Sequence, residues 1–510
     1  MTKRNTALRF LGLALLIVAV YLPSLATFFH ADDLALLESV KNGGPLGLWA
    51  RPGAMFFRPM ISLSLWLEWQ LWGVHPALYH ASNLLLHVLS ACLVVSITKA
   101  TLAWHRLELP PATPWLAGLF FGVLPGHAEA VLWISGRTDL IATLLLLLAY
   151  RLYLHESTAK PAFPWFALVF MASLLSKESG ILFPALIFLA EALRTKTSPF
   201  KSQALLASAA TLVLYLLLRR LSIGTFIGGY GSSYFQFIPF QLLRGELVLM
   251  RYSFAPLAIP SLWRLLENAA ILGSLALAFL RTKPEGRRVL LLSASAFLLF
   301  TLPVMNLIGL AAVGGEGGRL CYLASAFAAI LVPTVLGMLI ASSVLRSVVL
   351  AALILACGTQ TVLLARRWQE AGELMRVCLV QLHALPKARR LVLLAAPDVL
   401  NPAYVLRNGV SAGLVLLYGD PGREVVYAGR LFVDSVKTQT EAHRLAPQEI
   451  VVKRTDTEGR IPSQLYDAEF KECLPMAPGG NQYLLRTETR ESDVLVIYDG
   501  ARGLVETQLH

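Results

Sequence analysis

Residues 8–40 read LRFLGLALLIVAVYLPSLATFFHADDLALLESV, a long apolar run that ends at two adjacent aspartates, Asp32 and Asp33. A helix that crosses the hydrocarbon of a bilayer needs about 20 consecutive apolar residues, and this run meets that length. The stretch resembles a signal peptide, with the small residues Ser24 and Ala26 at a cleavage-like position, but further apolar runs follow it. We therefore predict an uncleaved first transmembrane helix with an acidic pair at its far end.

The composition of the whole chain also indicates a membrane protein. Of its 510 residues, 56% are hydrophobic and only 15% are charged, and the mean hydropathy is +0.61. Soluble domains average about 45–50% apolar and about 25% charged residues. Because a soluble core cannot bury so large an excess, we expect a bilayer to solvate much of it.

Apolar segments recur along residues 1–365 and predict an all-α polytopic membrane domain. The eleven predicted spans are residues 8–28, 83–103, 114–126, 137–154, 163–176, 180–193, 203–219, 262–281, 289–310, 320–340 and 346–365. Three of them are short, and we expect neighbouring residues to complete them or the chain to re-enter there: 114–126, 163–176 and 180–193.

The formal charge of +12 comes largely from Lys and Arg that lie between the apolar runs. Such placement is typical of cytoplasmic loops, so the positive charge requires no nucleic-acid partner. Anionic membrane lipids would attract these basic residues. Lys3, Arg4 and Arg9 place the N-terminus in the cytoplasm. The later cationic turns agree with this orientation if 241–261 is a surface or re-entrant element. The segments then predicted on the extracytoplasmic face are 29–82, 126–136, 176–180, 220–261, 311–319 and the tail from 366.

The composition changes near residue 366, and a second domain is predicted over residues 366–510. The stretch RRWQEAGELMRVCLVQLHAL has the pattern of an amphipathic helix, and RLVLLAAPD, REVVYAGRLFV, QEIVVKR and SDVLVIYDG have the pattern of strands. We predict a small extracytoplasmic α/β domain that serves structure or acceptor recognition. Cys378 and Cys473 lie in it, and they can form a disulfide only if the fold brings them together.

Asp32 and Asp33 are the strongest candidates for a catalytic centre. They are adjacent, are flanked by apolar residues, and directly follow a helix that would hold them in place. A solvated loop tip explains the pair equally well, since carboxylates that face water at a membrane boundary cost little. Crowding of like charges, however, raises the pKa of one carboxyl and favours proton acceptance near neutral pH.

The same loop continues as FFRPMISLSLWLEWQLWGVHPALYHASNLLLH. Its tryptophan-rich part is typical of an amphipathic stretch at the membrane interface. The Arg58 guanidinium suits a lipid phosphate at headgroup level, because its planar fork binds two phosphate oxygens. Polar residues at the start of the next span are candidates for a substrate pocket: Tyr79, His80 and Asn83.

A second outward loop reads LPGHAEAVLWISGRTDLIA and holds His127 and Glu129, with Arg137 and Asp139 at the start of the next span. His127 and Glu129 are candidate ligands of a divalent metal if a further carboxylate joins them. A hydrogen-bonded network that shapes the loop explains the same residues without a metal.

Two further outward segments carry basic residues. In SLLSKESGILFP, Lys177 and Glu178 either form an internal ion pair or present a lysine to a phosphate at a helix start. In GGEGGRLCYLASAF, flexible glycines surround Glu316 and precede Arg319 and Tyr322.

Arg219 and Arg220 end an apolar run on the outward face, against the positive-inside rule. A bound anion would explain this placement. Together the motifs put one acidic pair and several cations on one face of the membrane. This arrangement suits a reaction with a lipid-phosphate donor and an acceptor that loses a proton.

The order of these motifs resembles the protein O-mannosyltransferase superfamily. It looks closest to the transmembrane and tetratricopeptide-repeat O-mannosyltransferases and their bacterial relatives, over most of residues 20–370. The resemblance implies a GT-C fold, a polyprenyl-phosphate sugar donor and a mannosyltransferase-like activity on a protein or glycan acceptor. It also implies an integral protein of a bacterial inner membrane.

The resemblance also implies roles for the residues above. Asp32 or Asp33 becomes the base, and Arg58, Lys177 and Arg319 bind the donor phosphate. The pocket residues become Tyr79, His80, Asn83, His127, Glu129, Arg137, Glu178, Glu316 and Tyr322. The sequence departs from the family after 366, where no 34-residue repeat is visible, and this departure leaves the acceptor open.

Three other functions are compatible with the sequence. A lipid or solute transporter, or a flippase, would show internal repeats and polar residues at mid-membrane, whereas the polar residues here cluster at one face. A non-catalytic scaffold would use the C-terminal domain to bind a partner. A related glycosyltransferase would modify an envelope glycolipid or polymer.

Overall fold

The computed structural model describes residues 3–47, 56–156, 164–194, 198–226, 239–254, 261–307, 317–386, 390–420, 423–433, 439–446, 448–454, 459–460, 473–475, 482–486, 489–490, 492–507 and 509. Helices make up most of the first 384 residues, and strands follow them, as predicted. The helices are α1 (Lys3–Tyr21), α2 (Asp33–Gly43), α3 (Pro59–Trp72), α4 (Pro76–Trp104), α5 (Thr113–Val123), α6 (Ala128–Leu132), α7 (Arg137–Glu156), α8 (Trp165–Leu174), α9 (Phe183–Arg194), α10 (Gln203–Ile223), α11 (Pro239–Phe254), α12 (Ser261–Arg281), α13 (Pro284–Thr301), α14 (Tyr322–Leu339), α15 (Ser343–Ala384) and α16 (Val410–Tyr418).

Seven helical segments within the described residues are long and apolar enough to cross a bilayer. They are Arg4–Ala26, Pro76–Trp104, Ile134–His155, Gln203–Ile223, Trp263–Arg281, Gly318–Leu339 and Ser343–Ala384. A bent pair, Thr113–Val123 with Pro125–Leu132, brings the number to eight if its 49° bend lies within one span. The chain is thus an integral membrane protein.

The number of eleven spans stays a prediction. Helices α8 and α9 lie at the predicted spans 163–176 and 180–193, but they have only 10 and 12 residues. Helix α13 lies at the predicted span 289–310 and has 18 residues. Helix α11, predicted as a surface or re-entrant element, is not among the helices of spanning length.

Local sequence explains where several helices begin and end. Proline occupies the first turn of α3, α4, α5 and α13, where its missing N–H has no helical partner to lose. Ser202 caps α10 by accepting a hydrogen bond from the backbone N–H of Leu205. Gly224 ends the same helix with a left-handed conformation at φ 80°, which glycine adopts without strain.

Glycine also permits the closest helix packing in the membrane domain. Gly118 of α5 faces Val95 of α4, and Gly122 of α5 faces Ile17 of α1. A Cβ atom at either glycine would overlap the facing side chain. The three helices therefore approach as closely as small residues allow, which is a common source of helix association in lipid.

Strands form the C-terminal domain, as the sequence predicted. They are β1 (Arg390–Leu400), β2 (Ala403–Tyr404), β3 (Glu424–Tyr427), β4 (Arg430–Val433), β5 (Thr440–Ala446), β6 (Glu449–Arg454), β7 (Gly459–Arg460), β8 (Cys473–Pro475), β9 (Gln482–Arg486), β10 (Val494–Asp499) and β11 (Gly503–Glu506). The larger sheet has the order β11–β10–β1–β4–β7, and β2 and β3 also pair with β1. Strand β1 is parallel to β10, β3 and β4 and is buried along nearly its whole length. This burial is typical of a central parallel strand.

The smaller sheet is antiparallel, with the order β5–β6–β9–β8. Helix α15 joins the two parts of the chain without a break at residue 366, where we predicted the domain boundary. Its 42 residues span about 63 Å, which is about twice the thickness of the hydrocarbon layer. Cys378, on this helix, carries a free and buried thiol, and the side chain of Cys473 lies outside the described residues.

The C-terminal domain shares one apolar core with the membrane domain. Leu34 and Leu37 of α2 belong to the same buried cluster as Trp368 and Leu379 of α15 and Leu406. Residues 403–409, which we call the docking segment, run from β2 to the start of α16 and lie against α2. The segment therefore meets the membrane domain at the predicted catalytic loop.

Candidate functional site

Asp33 is the buried member of the acidic pair. Asp33 is the first residue of α2, and both of its carboxylate oxygens accept hydrogen bonds. Oδ2 accepts from the backbone N–H of His30 at 2.9 Å. Oδ1 accepts from the backbone N–H and the Oγ of Ser135, at 2.9 and 2.6 Å. Asp33 thus fixes the start of α2 to the loop between α6 and α7.

The environment of Asp33 favours its protonated form. Burial raises the pKa of Asp33 from 3.8 to about 7, the hydrogen bonds from Ser135 and His30 oppose this rise, and the charge of Asp32 adds to it. From the sequence, crowding of like charges predicted a raised pKa in one member of the pair. The direction is the predicted one, but burial is the larger cause.

Asp32 is the half-buried member of the pair and precedes the first residue of α2. Its Oδ1 accepts a hydrogen bond at 2.5 Å from the side-chain Nδ2 of Asn408, which is 376 residues further along the chain. Its Oδ2 accepts no hydrogen bond from the residues that the structure describes. Asp32 therefore presents one oxygen to a partner in the C-terminal domain and keeps the other available.

Glu129 lies at the centre of a second polar cluster. Its Oε1 is 3.2 Å from the Arg319 Nε and accepts a hydrogen bond from the Tyr404 hydroxyl at 2.8 Å. Its Oε2 accepts from the backbone N–H groups of Gly317 and Arg319, at 2.9 and 3.1 Å. The Arg319 guanidinium also lies over the ring of Trp133, 4.8 Å from its centroid. Glu129 thereby fixes Arg319 and binds the docking segment at the same time.

His127 and Tyr322 belong to a buried hydrogen-bonded group next to this cluster. The His127 Nε2 lies 2.6 Å from the Ser325 Oγ, and the Tyr322 hydroxyl lies 2.8 Å from the His87 Nδ1. The rings of His127 and Tyr322 are in edge contact, with centroids 4.6 Å apart. These contacts support the interpretation of a network that shapes the loop.

The described residues contain no group of three His, Cys, Asp or Glu side chains that could hold a metal. The two metal candidates, His127 and Glu129, have other partners: Ser325 for the histidine, and Arg319 with Tyr404 for the carboxylate. A cation beside Arg319 would face like charge. Among the described residues, the contacts of these two side chains indicate a structural role, and the divalent metal stays a prediction.

Arg137 is buried and is held by neighbours on three sides. Its Nη1 lies 2.7 Å from Glu68 Oε2, its Nη2 donates to Ser82 Oγ at 3.2 Å, and its plane lies over the ring of Tyr79. The Tyr79 hydroxyl donates to the backbone oxygen of Gly73 at 2.7 Å. Arg137 and Tyr79 thus join α3, α4 and α7 to one another, and their predicted role as pocket residues stays a prediction.

Asn83 and His80 support the loops around the aspartates. The Asn83 Nδ2 donates to the backbone oxygen of Trp133 at 3.0 Å, and the His80 Nε2 lies 3.3 Å from the backbone oxygen of Phe28. The Asn83 Oδ1 and the His80 Nδ1 are buried and have no hydrogen-bond partner within the described part of the chain. These two atoms therefore retain unused hydrogen-bonding capacity.

Arg58 pairs with Glu178 in a third cluster, which also contains Arg219. The Arg58 Nη2 is 3.3 Å from Glu178 Oε1, and the Arg219 Nη1 donates to the Tyr215 hydroxyl at 3.1 Å. Burial raises the pKa of Glu178, but the charges of Arg58 and Arg219 outweigh that effect and hold it below its usual range. One carboxylate therefore faces two guanidinium groups, and the cluster has a net positive charge.

Arg219 has capacity for a further acceptor. Its side chain is only 2% exposed, and its Nε and Nη2 atoms are buried without a hydrogen-bond partner among the described residues. A buried guanidinium with two unmade hydrogen bonds is costly in the free protein. An anionic ligand would satisfy these two atoms, and the anion expected at the Arg219–Arg220 position stays a prediction.

Lys177 forms a close ion pair with Asp139. The Nζ and Oδ1 atoms are 2.5 Å apart, and the two side chains are 9% and 7% exposed. An ion pair was predicted in this turn, between Lys177 and Glu178. Lys177 instead pairs with Asp139, because Glu178 binds Arg58. Phosphate binding by Lys177 would require the lysine to share or leave Asp139.

The contacts group Arg319 with Glu129 and Arg58 with Glu178, and they join Asp32 to Asn408 of the C-terminal domain. Arg137 and Lys177 instead pair with Glu68 and Asp139. Glu316 lies outside the described residues. Tyr404 and Asn408 also contact the site, through Glu129 and Asp32, but they were not predicted from the sequence. No motif surrounds them, and their partners are far away in the chain.

Sequence comparison identifies relatives of the chain. No protein-family model matches it. It is 31% identical over 180 residues to the protein O-mannosyl-transferase TMTC1 of Mus musculus, covering 30% of this chain and 19% of that protein. It is 30% identical over 188 residues to TMTC2 of Homo sapiens, covering 32% and 21%. Because these relatives are protein O-mannosyl-transferases, the resemblance predicted from the motifs is confirmed.

The match covers about a fifth of the length of these relatives. Among solved structures, ArnT from Cupriavidus metallidurans bound to undecaprenyl phosphate is similar with a TM-score of 0.43 and 12% identity. That alignment covers 83% of this chain and 90% of ArnT.

Proposed function

We propose that the protein transfers a sugar from a polyprenyl-phosphate donor to an acceptor hydroxyl, with inversion of the anomeric carbon. The observation that carries this proposal is the state of Asp32. It is a half-exposed carboxylate with one oxygen fixed by Asn408 and the other without a partner among the described residues. Arg319, Arg58 and Arg219 lie in two further polar clusters of the membrane domain and supply positive charge. The similarity to protein O-mannosyl-transferases supports the same reaction class.

Asp32 acts as the base in this reaction. Its Oδ2 accepts the proton of the acceptor hydroxyl, while the hydroxyl oxygen forms a bond to the anomeric carbon. The bond between that carbon and the phosphate oxygen breaks on the opposite face, and the electron pair leaves with the polyprenyl phosphate. A positioned base contributes about 10²–10⁴-fold to such a rate.

Cationic groups stabilise the departing phosphate. Arg219 is the strongest candidate to bind this phosphate, because its buried Nε and Nη2 atoms have no hydrogen-bond partner in the described residues. Arg58 and Arg319 are held in position by Glu178 and Glu129, and Lys177 by Asp139. Fixed charges of this kind act on the charge that develops in the transition state and are usually the larger part of catalysis.

Asp33 positions Asp32 rather than reacting itself. Both of its oxygens already accept hydrogen bonds, and burial removes it from solvent. The acceptor is a protein Ser or Thr, or an envelope glycan or lipid. We place the reaction at the extracytoplasmic face of a bacterial inner membrane, with the N-terminus in the cytoplasm.

The proposal is tested with the full-length protein reconstituted in lipid vesicles. The donor is polyprenyl-phosphate mannose with a radiolabelled sugar, and the acceptors are a Ser/Thr-rich peptide and an extracted envelope glycolipid. We expect transfer by the native protein, loss of at least about 10²-fold in Asp32→Asn, and a smaller loss in Asp33→Asn. Glu38→Gln, on the same helix, is the matched control and should transfer normally.

Undiminished transfer by Asp32→Asn would rule out Asp32 as the base. Movement of labelled lipid across the vesicle membrane without sugar transfer would instead favour the transporter or flippase. The stereochemistry of the product, read by NMR of the anomeric proton, tests inversion separately.

A further inference from the structure

The docking segment approaches the predicted base through its backbone. The backbone N–H of Ala31 donates to the backbone oxygen of Val405 at 3.0 Å, and the His30 Nδ1 lies 2.9 Å from the backbone oxygen of Tyr404. Both bonds join residues that immediately precede Asp32 to the segment. The path of the chain into Asp32 is therefore set partly by the C-terminal domain.

The close approach restricts which residues can occupy this contact. Gly409 has φ 81°, and a Cβ atom there would lie 2.5 Å from the backbone oxygen of Ala31. Ala31 itself has φ 41°, a conformation that residues other than glycine rarely adopt. Such conformations persist where surrounding contacts hold them, and they are common next to functional groups. The hydrogen bond to Val405 supports Ala31 in this conformation, and glycine at 409 permits the close approach.

The docking segment also makes a side-chain hydrogen bond to the proposed base, Asp32. Asn408 Nδ2 donates to Asp32 Oδ1 at 2.5 Å. An amide is suited to this place because it donates without carrying charge and does not compete for the proton. The bond restricts rotation of the carboxylate and leaves Oδ2 without a hydrogen-bond partner among the described residues.

We infer that Asn408 is a positioning residue for the base and that the C-terminal domain completes the active centre through it. This inference rests on the proposed function, since it gives Asn408 a role only if Asp32 accepts the acceptor proton. It also assigns the tail a part in the reaction beyond structure or acceptor recognition. Tyr404, bound to Glu129, makes the same kind of contact to the neighbouring cluster.

The test compares two substitutions of Asn408 in the full-length protein in vesicles. Asn408→Ala removes the donor, and Asn408→Asp keeps the shape but places a carboxylate against Asp32. We expect kcat to fall about 10- to 100-fold in Asn408→Ala and further in Asn408→Asp. The KM for the polyprenyl-phosphate donor should change less than about twofold in both. Asn42→Ala, an exposed asparagine on α2, is the matched control and should leave kcat and KM unchanged.

A purely structural role gives a different pattern. If Asn408 only holds the domain in place by its shape, Asn408→Asp should be more active than Asn408→Ala, and only Asn408→Ala should clearly lower the melting temperature. That order, or normal kcat in Asn408→Ala, would overturn the inference.

A double substitution separates this result from the proposed function. In protein that already carries Asp32→Asn, Asn408→Ala should cause no further loss of the residual rate, because the bond acts only through the base. An active Asp32→Asn would contradict the proposed function itself. An inactive Asp32→Asn with a fully active Asn408→Ala would contradict only the role of Asn408.

Discussion

Asp33 and Ser135 are joined by two hydrogen bonds to the same carboxylate oxygen, one from the backbone N–H and one from the hydroxyl of Ser135. We expect Ser135→Ala to destabilise the protein by about 1–3 kcal/mol, because a buried carboxyl loses one of its donors. It should also lower the transfer rate, since Asp32 directly precedes α2. Ser411→Ala, at an exposed serine of α16, is the control. Thermal unfolding in detergent measures the effect, and an unchanged melting temperature would contradict it.

The raised pKa of Asp33 predicts a specific dependence of stability on pH. Burial raises the pKa of Asp33 from 3.8 in the unfolded chain to about 7 in the folded protein. Between these values the folded state holds a proton that the unfolded state releases. The contribution of Asp33 is therefore complete below about pH 4 and is lost as the pH rises through about 7.

The comparison of Asp33→Asn with the native protein isolates this contribution. Asparagine does not titrate, so the melting temperature of the native protein relative to the variant should fall between pH 5 and pH 8. Melting curves of both proteins at four pH values in this range provide the measurement. A constant difference would show that Asp33 does not change its charge there.

Arg219 and Arg220 form a matched pair for testing the anion site. Arg219 is buried with two unpartnered nitrogens among the described residues, whereas Arg220 is exposed and donates to the backbone oxygen of Gly224. We expect Arg219→Met to raise the KM for the polyprenyl-phosphate donor about tenfold or more, because charged hydrogen bonds to phosphate are lost. Arg220→Met should stay within about twofold. Equal effects of the two substitutions would argue against a specific phosphate site.

The sequence was sufficient to predict the membrane class, a mostly helical first part of the chain and a small C-terminal domain with strands. Apolar length and composition carry that information directly. It also predicted that one carboxyl of the Asp32–Asp33 pair has a raised pKa. It did not distinguish the two aspartates, because only the packing of the loop around Ser135 determines which one is buried.

Contacts between distant parts of the chain were beyond prediction from one sequence. Asn408 is 376 residues from Asp32, and Glu178 is 120 residues from Arg58. No local pattern in the sequence indicates such partners, since spacing predicts neighbours only along one helix or strand. The docking segment carries no motif, and its role follows only from the place where the C-terminal domain lies.

The ion pair between Lys177 and Asp139 has to change if the lysine binds phosphate. The two side chains are nearly buried, with Nζ and Oδ1 2.5 Å apart. Lys177→Met alone should destabilise the protein by about 3–5 kcal/mol, because it leaves the carboxylate of Asp139 buried without a partner.

The double variant Lys177→Met with Asp139→Leu separates stability from function. It should recover most of the melting temperature, because an apolar pair of similar size replaces the ions without a buried charge. If Lys177 binds the donor phosphate in the reaction, the double variant should still transfer sugar poorly, with a raised KM for the donor. Recovery of both the melting temperature and the transfer rate would show that Lys177 serves only the ion pair, and phosphate binding would then rest on Arg58, Arg219 and Arg319.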